Sequence, residues 1–491
     1  MSSTDFHAII DTIFAHGVFQ DLDKKALVDR YDTTGAIDEI NSTLGSVSGQ
    51  EEQTGNVISS IPPQGIVIKT PGTYTFAADL TWQPGAVASA AIVIEDTDNV
   101  TLDLSNHVLA AIVGDSGQHI TGICIKGASS VTIQNGTLAG MCYYGIRAEE
   151  VENLTIQNLT VSGLAFKNLD IRNLCPAGIH VNHALGVKIT DCTVQYMYVT
   201  ADSSAGIQLL STVSGTVSGC RVSNLVNYDG SVQGYSYVGS VNVTTANCTA
   251  EDFQSCFGGN IRNLGHTVLG FCPIFCLGLK YESCSATGMT GCSDDCHGMS
   301  VFLNAMVAVD NFTASFVTDG VDPSHTGAKS TGLEVYGAFV SVRSCSVENI
   351  KAIVPQDRQS TGFSAWGVAI SFTNCKAGRV TVCDQNGHEN PDLGYGTGFG
   401  WAPDPRAMFR NVGAYLVTYQ GCAADHCQVG FDTWYHVDST WTDISHTDCG
   451  IGVLVQPGET RTLSGNPASE CNPPITVVIK NIARGNTYPG S

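Results

Sequence analysis

Asp294, Asp295 and His297 stand within four residues of one another, a carboxylate pair beside an imidazole, and such groups can trade protons with a substrate. Polar stretches follow at Asp319, Asp322, His325 and Lys329, then at Lys351, Asp357 and Arg358. A base beside a cation is what abstraction of a proton α to a carboxylate requires, and these residues, Asp322, His325 and Lys329 foremost, are the candidates for it. Each set also has a plainer reading, as a solvated turn or as polar loops of the kind any scaffold carries. Four of the five tryptophans fall between Trp366 and Trp441. Trp366, Trp401 and Trp434, with Asp432 and His436, make a candidate binding surface for a glycan or a protein. Asp432, Trp434 and His436 alternate, so in an extended strand they share a face; the competing reading places the aromatic rings inside. Cys272, Cys276, Cys292 and Cys296 have the loose spacing of a zinc site. Among 19 cysteines such spacing arises readily, and neither a metal nor a cofactor is assigned.

The elements that hold these residues are repeated. Gly122-Ile-Cys-Ile leads to Val131-Thr-Ile-Gln-Asn, Gly145-Ile-Arg-Ala to Leu154-Thr-Ile-Gln-Asn, and Gly178-Ile-His-Val to Val187-Lys-Ile-Thr-Asp. Units begin again near Gly206, Gly234, Gly298, Gly332, Gly362, Gly398 and Gly430, with one long gap between Gly234 and Gly298. Repeats of this size mark solenoids. Each unit alternates apolar and polar residues with a period of two, broken by Gly, Asn, Asp and Ser, which is strand-and-turn grammar. Short strands cannot bury their apolar faces alone, so the units must stack. A parallel β-helix of roughly a dozen coils, each about 4.8 Å above the last, is the expected architecture. Cys192, Cys220, Cys248, Cys284, Cys345, Cys375 and Cys422 recur in one slot after Asn, Asp, Gly or Ser, and Phe312 fills the same slot. A slot that accepts Cys or Phe is a core position.

Composition agrees. Of 491 residues 53 are Gly and only 14% are charged, too few charges for a coiled coil or a disordered tail. The net charge of −22 argues against nucleic acid, which needs basic patches. No apolar run reaches the roughly 18 residues of a membrane span. Residues 1–44 carry Phe6, Ile9, Ile10, Ile13 and Phe14 on one helical face and read as a helical cap or anchoring arm, a route to a homo-oligomer or a particle partner. Residues 45–65 read as a linker, 66–455 as the β-helix and 456–491 as a C-terminal cap, with a last strand between Ile475 and Ile482. Without a signal peptide, the chain is expected to fold in a reducing cytosol, with its thiols free.

Gly72-Thr73-Tyr74 followed by Asn99-Val100-Thr101-Leu102-Asp103 resembles the opening coils of the pectate-lyase-like, right-handed parallel β-helix superfamily. That resemblance implies an all-β, single-stranded right-handed solenoid. The units around Thr361-Gly362-Phe363, Asn374-Cys375 and Cys422-Ala423 are similar to Cys-containing β-helix repeat proteins of large DNA viruses and some bacteria. Ser293-Asp294-Asp295-Cys296-His297-Gly298 resembles the Asp-Asp-Cys and Gly-His-Gly elements of polygalacturonases, fused here into one turn, where paired carboxylates act on the glycosidic bond. The Asn-Thr-Asp and Arg-x-Lys elements of that family are missing. Two functions follow. A structural or binding β-helix, such as a virion surface or capsid-associated component, is favoured by the incomplete catalytic motif. The alternative is a polysaccharide-active enzyme (hydrolase, lyase or epimerase) working in a groove on the rod's flank, with a glycan as its ligand.

Overall fold

The computed structural model describes residues 51–454 apart from 53–55, 86–87, 113–119, 168–174, 229, 256–266, 292–294, 321–328, 354–358, 385, 391–395, 401–413 and 434–435, together with 477–480 and 483–484. They form a right-handed parallel solenoid of about 10 turns, without a helix among the described residues. The arm expected over 1–44 lies outside them.

One coil shows how the chain turns. The strand Tyr144–Ser162 bends at single residues, Glu150, Asn153 and Asn158, whose φ angles are 52°, 53° and 53°. This left-handed region is costly for most L-residues, but Asn and Asp enter it because their short polar side chains bond locally. The third of these corners is repeated up the rod by Asp191, Gly219, Asn247, Ser283, Asn311, Ser344, Asn374 and Gly421, with φ between 52° and 63°. The residue after each of these is the cysteine slot, with Phe312 at one coil, and all are buried at 0–1% exposure. Each ladder thiol donates to the carbonyl two residues before it, as Cys192 does to Thr190 at 3.2 Å. Corner and core residue therefore form one unit, which explains why Asn, Asp, Gly or Ser precedes the cysteine.

The first strands of successive coils stack in register, Tyr144–Glu149 on Ala177–Asn182 and these on Ala205–Leu210. The glycine that leads each strand sits where nothing larger fits. A Cβ on Gly178 would lie 2.3 Å from Val194 Cγ1, and on Gly206 2.2 Å from Val222 Cγ1. This glycine column continues from Gly122 to Gly452, each facing the carbonyl oxygen of the next. The long gap in the sequence repeat is filled by a coil led by Gly270, in the strand Thr267–Ile274, masked in sequence by the Cys and Pro that follow it. The solenoid also begins earlier than expected. Glu51–Glu52 pairs with Ile66–Val67, and Val57–Ile58 with Thr75–Phe76, so residues read as a linker already carry strands. At the other end Val477–Lys480 adds to Ser439–Thr442.

Candidate functional site

In the glycine-led sheet the residue after each glycine, such as Ile179 or Leu333, enters the core, and the next one points to the opposite face. That second column reads Arg147, His180, Gln208, Ser236, Cys272, Ser300, Glu334, Ser364. All eight are buried. Polar groups buried on the outer face of a sheet are costly unless they satisfy one another, so their partners define what the face is for.

Around Glu334 three coils converge. The carboxylate pairs with Lys329 Nζ through Oε1 and accepts a hydrogen bond from Ser300 Oγ at Oε2, 3.1 Å away. His297 Nδ1 lies 3.6 Å from Oε2, beyond hydrogen-bond reach, and this buried nitrogen has no hydrogen-bond partner among the described residues. Burial opposes the charge of Glu334, but the Lys329 ammonium, His297 and the bonds from Lys329 and Ser300 outweigh it and hold its carboxyl down to about 2. Burial pushes His297 down to about 4, with Lys329 adding to the effect and Glu334 opposing it. At neutral pH the cluster is an ion pair beside a neutral imidazole. Lys329 is placed by Asp319, whose Oδ2 accepts the Lys329 backbone N–H at 3.0 Å while Oδ1 accepts that of Gly320 at 2.8 Å. Its ammonium also lies 5.7 Å from the centre of the Trp366 ring.

His297 and Lys329, singled out in the sequence, are thus brought together. Asp295 is half-buried and opposite Lys329 in register. Asp294, Asp322, His325, Asp357 and Arg358 lie outside the described residues. Glu334 and Ser300, the groups that join the cluster, were not anticipated. The available signal was the polar residue two places after each coil's glycine, visible only when coils are aligned column by column.

The expected aromatic surface is corrected. Trp366 is 4% exposed; its Nε1 donates to Ser364 Oγ at 3.1 Å, and Tyr336 meets it edge-on at 5.7 Å. It walls the Glu334 cluster. Asp432 and His436 are 2% and 0% exposed. They do not share an extended strand, because Asp432 ends the strand Val429–Asp432 and His436 opens the strand His436–Val437, with His436 N–H donating to Thr433 O at 3.1 Å. His436 Nε2 lies 3.0 Å from the buried Tyr419 hydroxyl. Trp401 and Trp434 lie outside the described residues.

The cysteine set does not converge either. Cys272 faces outward between Ser236 and Ser300, whereas Cys276 donates into the core, to Ile274 O at 3.2 Å and Tyr237 O at 3.4 Å. Burial pushes the thiols of Cys272 and Cys296 up, and Cys292 lies outside the described residues. Among the described residues the group with ligand atoms within 4.8 Å of one another is Asp425, His426 and Asp448, the first two exposed and the third half-buried.

Residues 121–377 match a family model described as a right handed beta helix region. No curated protein matches the chain. Solved structures similar to it include the catalytic domain of a GH87 alpha-1,3-glucanase, at 11% identity and a TM-score of 0.35, covering 89% of this chain and 69% of that one. The A-module of the mannuronan C-5 epimerase AlgE6 of Azotobacter vinelandii matches at 12% and 0.31, covering 87% and 92%. DFA-IIIase from Arthrobacter chlorophenolicus A6 matches at 12% and 0.35, covering 82% and 89%.

Proposed function

The chain belongs to the right-handed β-helix family, and on that scaffold we propose a polysaccharide-active enzyme whose reacting groups are His297, Lys329 and Glu334. The observation that carries this reading is the orphaned nitrogen of a buried, neutral His297 facing a lysine–glutamate pair. A purely structural rod gains nothing from burying an imidazole nitrogen without a hydrogen bond.

A neutral imidazole accepts a proton, and the neighbouring ammonium stabilises negative charge that develops beside it. That combination suits a sugar acid. His297 takes the proton from the carbon next to the sugar carboxylate, and the bond's electron pair moves into the carboxylate, which Lys329 stabilises. If those electrons then expel the glycosidic oxygen on the adjacent carbon, a double bond forms; the departing oxygen takes a proton from water or from the imidazolium, and the chain is cleaved. If water on the opposite face instead delivers a proton, the centre inverts, and the imidazolium gives its own proton to the hydroxide left behind. Glu334 keeps Lys329 charged and fixed, and Trp366 limits where the ammonium can go. Glycoside hydrolysis is the second reading, favoured by Asp295 lying opposite Lys329, one strand from Glu334.

Purified protein incubated with a panel of acidic and neutral polysaccharides tests this. Unsaturated uronate absorbance reports elimination, NMR of the polymer reports inversion, and reducing ends without unsaturation report hydrolysis. His297→Gln should lower the rate by about a hundredfold or more. Inactivity on every polymer, or a His297→Gln protein as active as the parent, overturns the proposal.

A further inference from the structure

Four coils before His297, the same outward face carries a second buried polar group. Arg147, Glu149, His180, Asn182 and Gln208 are each 2–6% exposed. Arg147 Nε donates to Glu149 Oε1 at 2.9 Å, so the cation is answered within the chain. His180 Nδ1 lies 2.7 Å from Gln208 Oε1. An amide oxygen only accepts, so Nδ1 carries the proton and Nε2 keeps its lone pair. Gln208 is oriented in turn by donation from Nε2 to Cys175 Sγ at 3.4 Å. Burial and the nearby Arg147 hold His180 down to about 3, and its ring rests 4.7 Å from that of Tyr144.

Asn182 stands out within this group. Its Oδ1 is buried with no hydrogen-bond partner among the described residues, an arrangement that costs stability in the free protein. Packing does not demand an amide there, because the next coil has Leu210 in the same column, and the preceding coil has Glu149. Ile179 and Val181 enter the core, so Asn182 and His180 share the opposite face.

We infer that Asn182 and His180 form a binding site for a neutral, hydroxyl-bearing sugar ring, separate from the Lys329 cluster. Two acceptors, Asn182 Oδ1 and His180 Nε2, call for donors from the ligand, which hydroxyls supply and a carboxylate does not. The coils led by Gly178 and Gly298 are four steps apart, roughly 19 Å at the spacing of stacked strands, so one sugar ring cannot span both sites. The inference stands on its own residues, whatever reaction the Lys329 cluster performs.

Calorimetric titration of the full chain with cellopentaose, laminaripentaose, mannopentaose and trigalacturonate tests it, with turnover measured separately. Binding of at least one neutral pentasaccharide is expected. Asn182→Leu should weaken that binding about tenfold, the loss of one hydrogen bond, while raising the Tm of the free protein by about 1–2 °C. Should the larger side chain not be accepted, Asn182→Ala removes the same acceptor and should show the same weakening. Failure of every neutral probe to bind at millimolar concentration, tighter binding of trigalacturonate, or undiminished binding in the variants would each overturn the inference.

Discussion

Glu334 and Lys329 neutralise each other where water cannot, so removing one partner strands the other. Glu334→Gln should destabilise the protein by about 3–5 kcal/mol, the usual consequence of breaking a buried pair. Replacing both together, as Lys329→Met with Glu334→Leu, should leave stability within about 1 kcal/mol of the parent or raise it. Denaturant titration of the parent, both single variants and the double variant checks this, and a double loss equal to the sum of the two single losses would show that the pair is not coupled. The same groups set an acid limit. His297 and His180 have folded values depressed to about 4 and about 3 from 6.5. Their contribution to stability is therefore complete above pH 6.5 and disappears as the pH falls through the folded values. Glu334 follows, its contribution being lost as the pH falls toward about 2. These groups leave stability flat from about pH 8 down to about 6.5 and make it fall continuously below that; a maximum near pH 4 would contradict these assignments. His297 and Lys329 could be picked out from sequence because one follows an Asp-Asp pair and the other lies in a polar stretch between repeats. Glu334 could not, because Gly332-Leu333-Glu334-Val335 reads like Gly178-Ile179-His180-Val181, one more outward residue on an alternating strand. Alternation shows which way a side chain points and does not show whether that face is covered.

Corners, more than strands, made the solenoid legible. Asn and Asp before a cysteine mark a left-handed residue followed by a core residue, and the structure places both there. A second corner column shows the limit of that grammar. It runs Asn153, Gly186, Ser214, Asn242 and Gly278, as expected, and then Met306, Phe339, Ala369 and Leu416, with φ between 54° and 57° for these last four. Met306, Phe339 and Leu416 are 56–63% exposed, so neither conformation nor burial favours them. A left-handed L-residue costs roughly 1–2 kcal/mol, and Asn relieves part of that. Met306→Asn should therefore stabilise the fold by about 0.5–1 kcal/mol. Because each coil contacts only its neighbours, the gain should be local: slower amide exchange over Asp295–Ala305 and Lys329–Arg343, with distant coils unchanged. Faster exchange there would mean that Met306 makes contacts that its exposure does not reveal. The coil led by Gly270 was overlooked for a related reason. Its Phe271-Cys272-Pro273 departs from the Ile-x-Val pattern, although the larger Phe271 stacks on Tyr235 at 4.6 Å and fills the same core.

At the scale of the whole rod, charge decides how a substrate arrives. The chain carries a net −22, and such a field repels a polyuronate before any local group can attract it. The Lys329 cluster offers no long-range correction, because Glu334 cancels its cation within one ion pair. Salt should therefore help where it usually hinders. Between about 0.01 and 0.1 M ionic strength the screening length falls from roughly 30 Å to 10 Å, so repulsion between rod and polymer is largely removed. The buried Lys329–Glu334 pair, out of contact with bulk ions, changes little. For an acidic polysaccharide this predicts a KM that drops severalfold over that range with kcat nearly constant, whereas binding of a neutral oligosaccharide at Asn182 stays unaffected by salt. Initial rates at a series of salt concentrations, paired with calorimetry on the neutral probe, check both halves. A KM that rises with salt would mean that the polymer approaches along a positively charged path, contrary to what the net charge implies. A kcat that moves with it would place solvent ions inside the cluster and remove the buried ion pair from the mechanism.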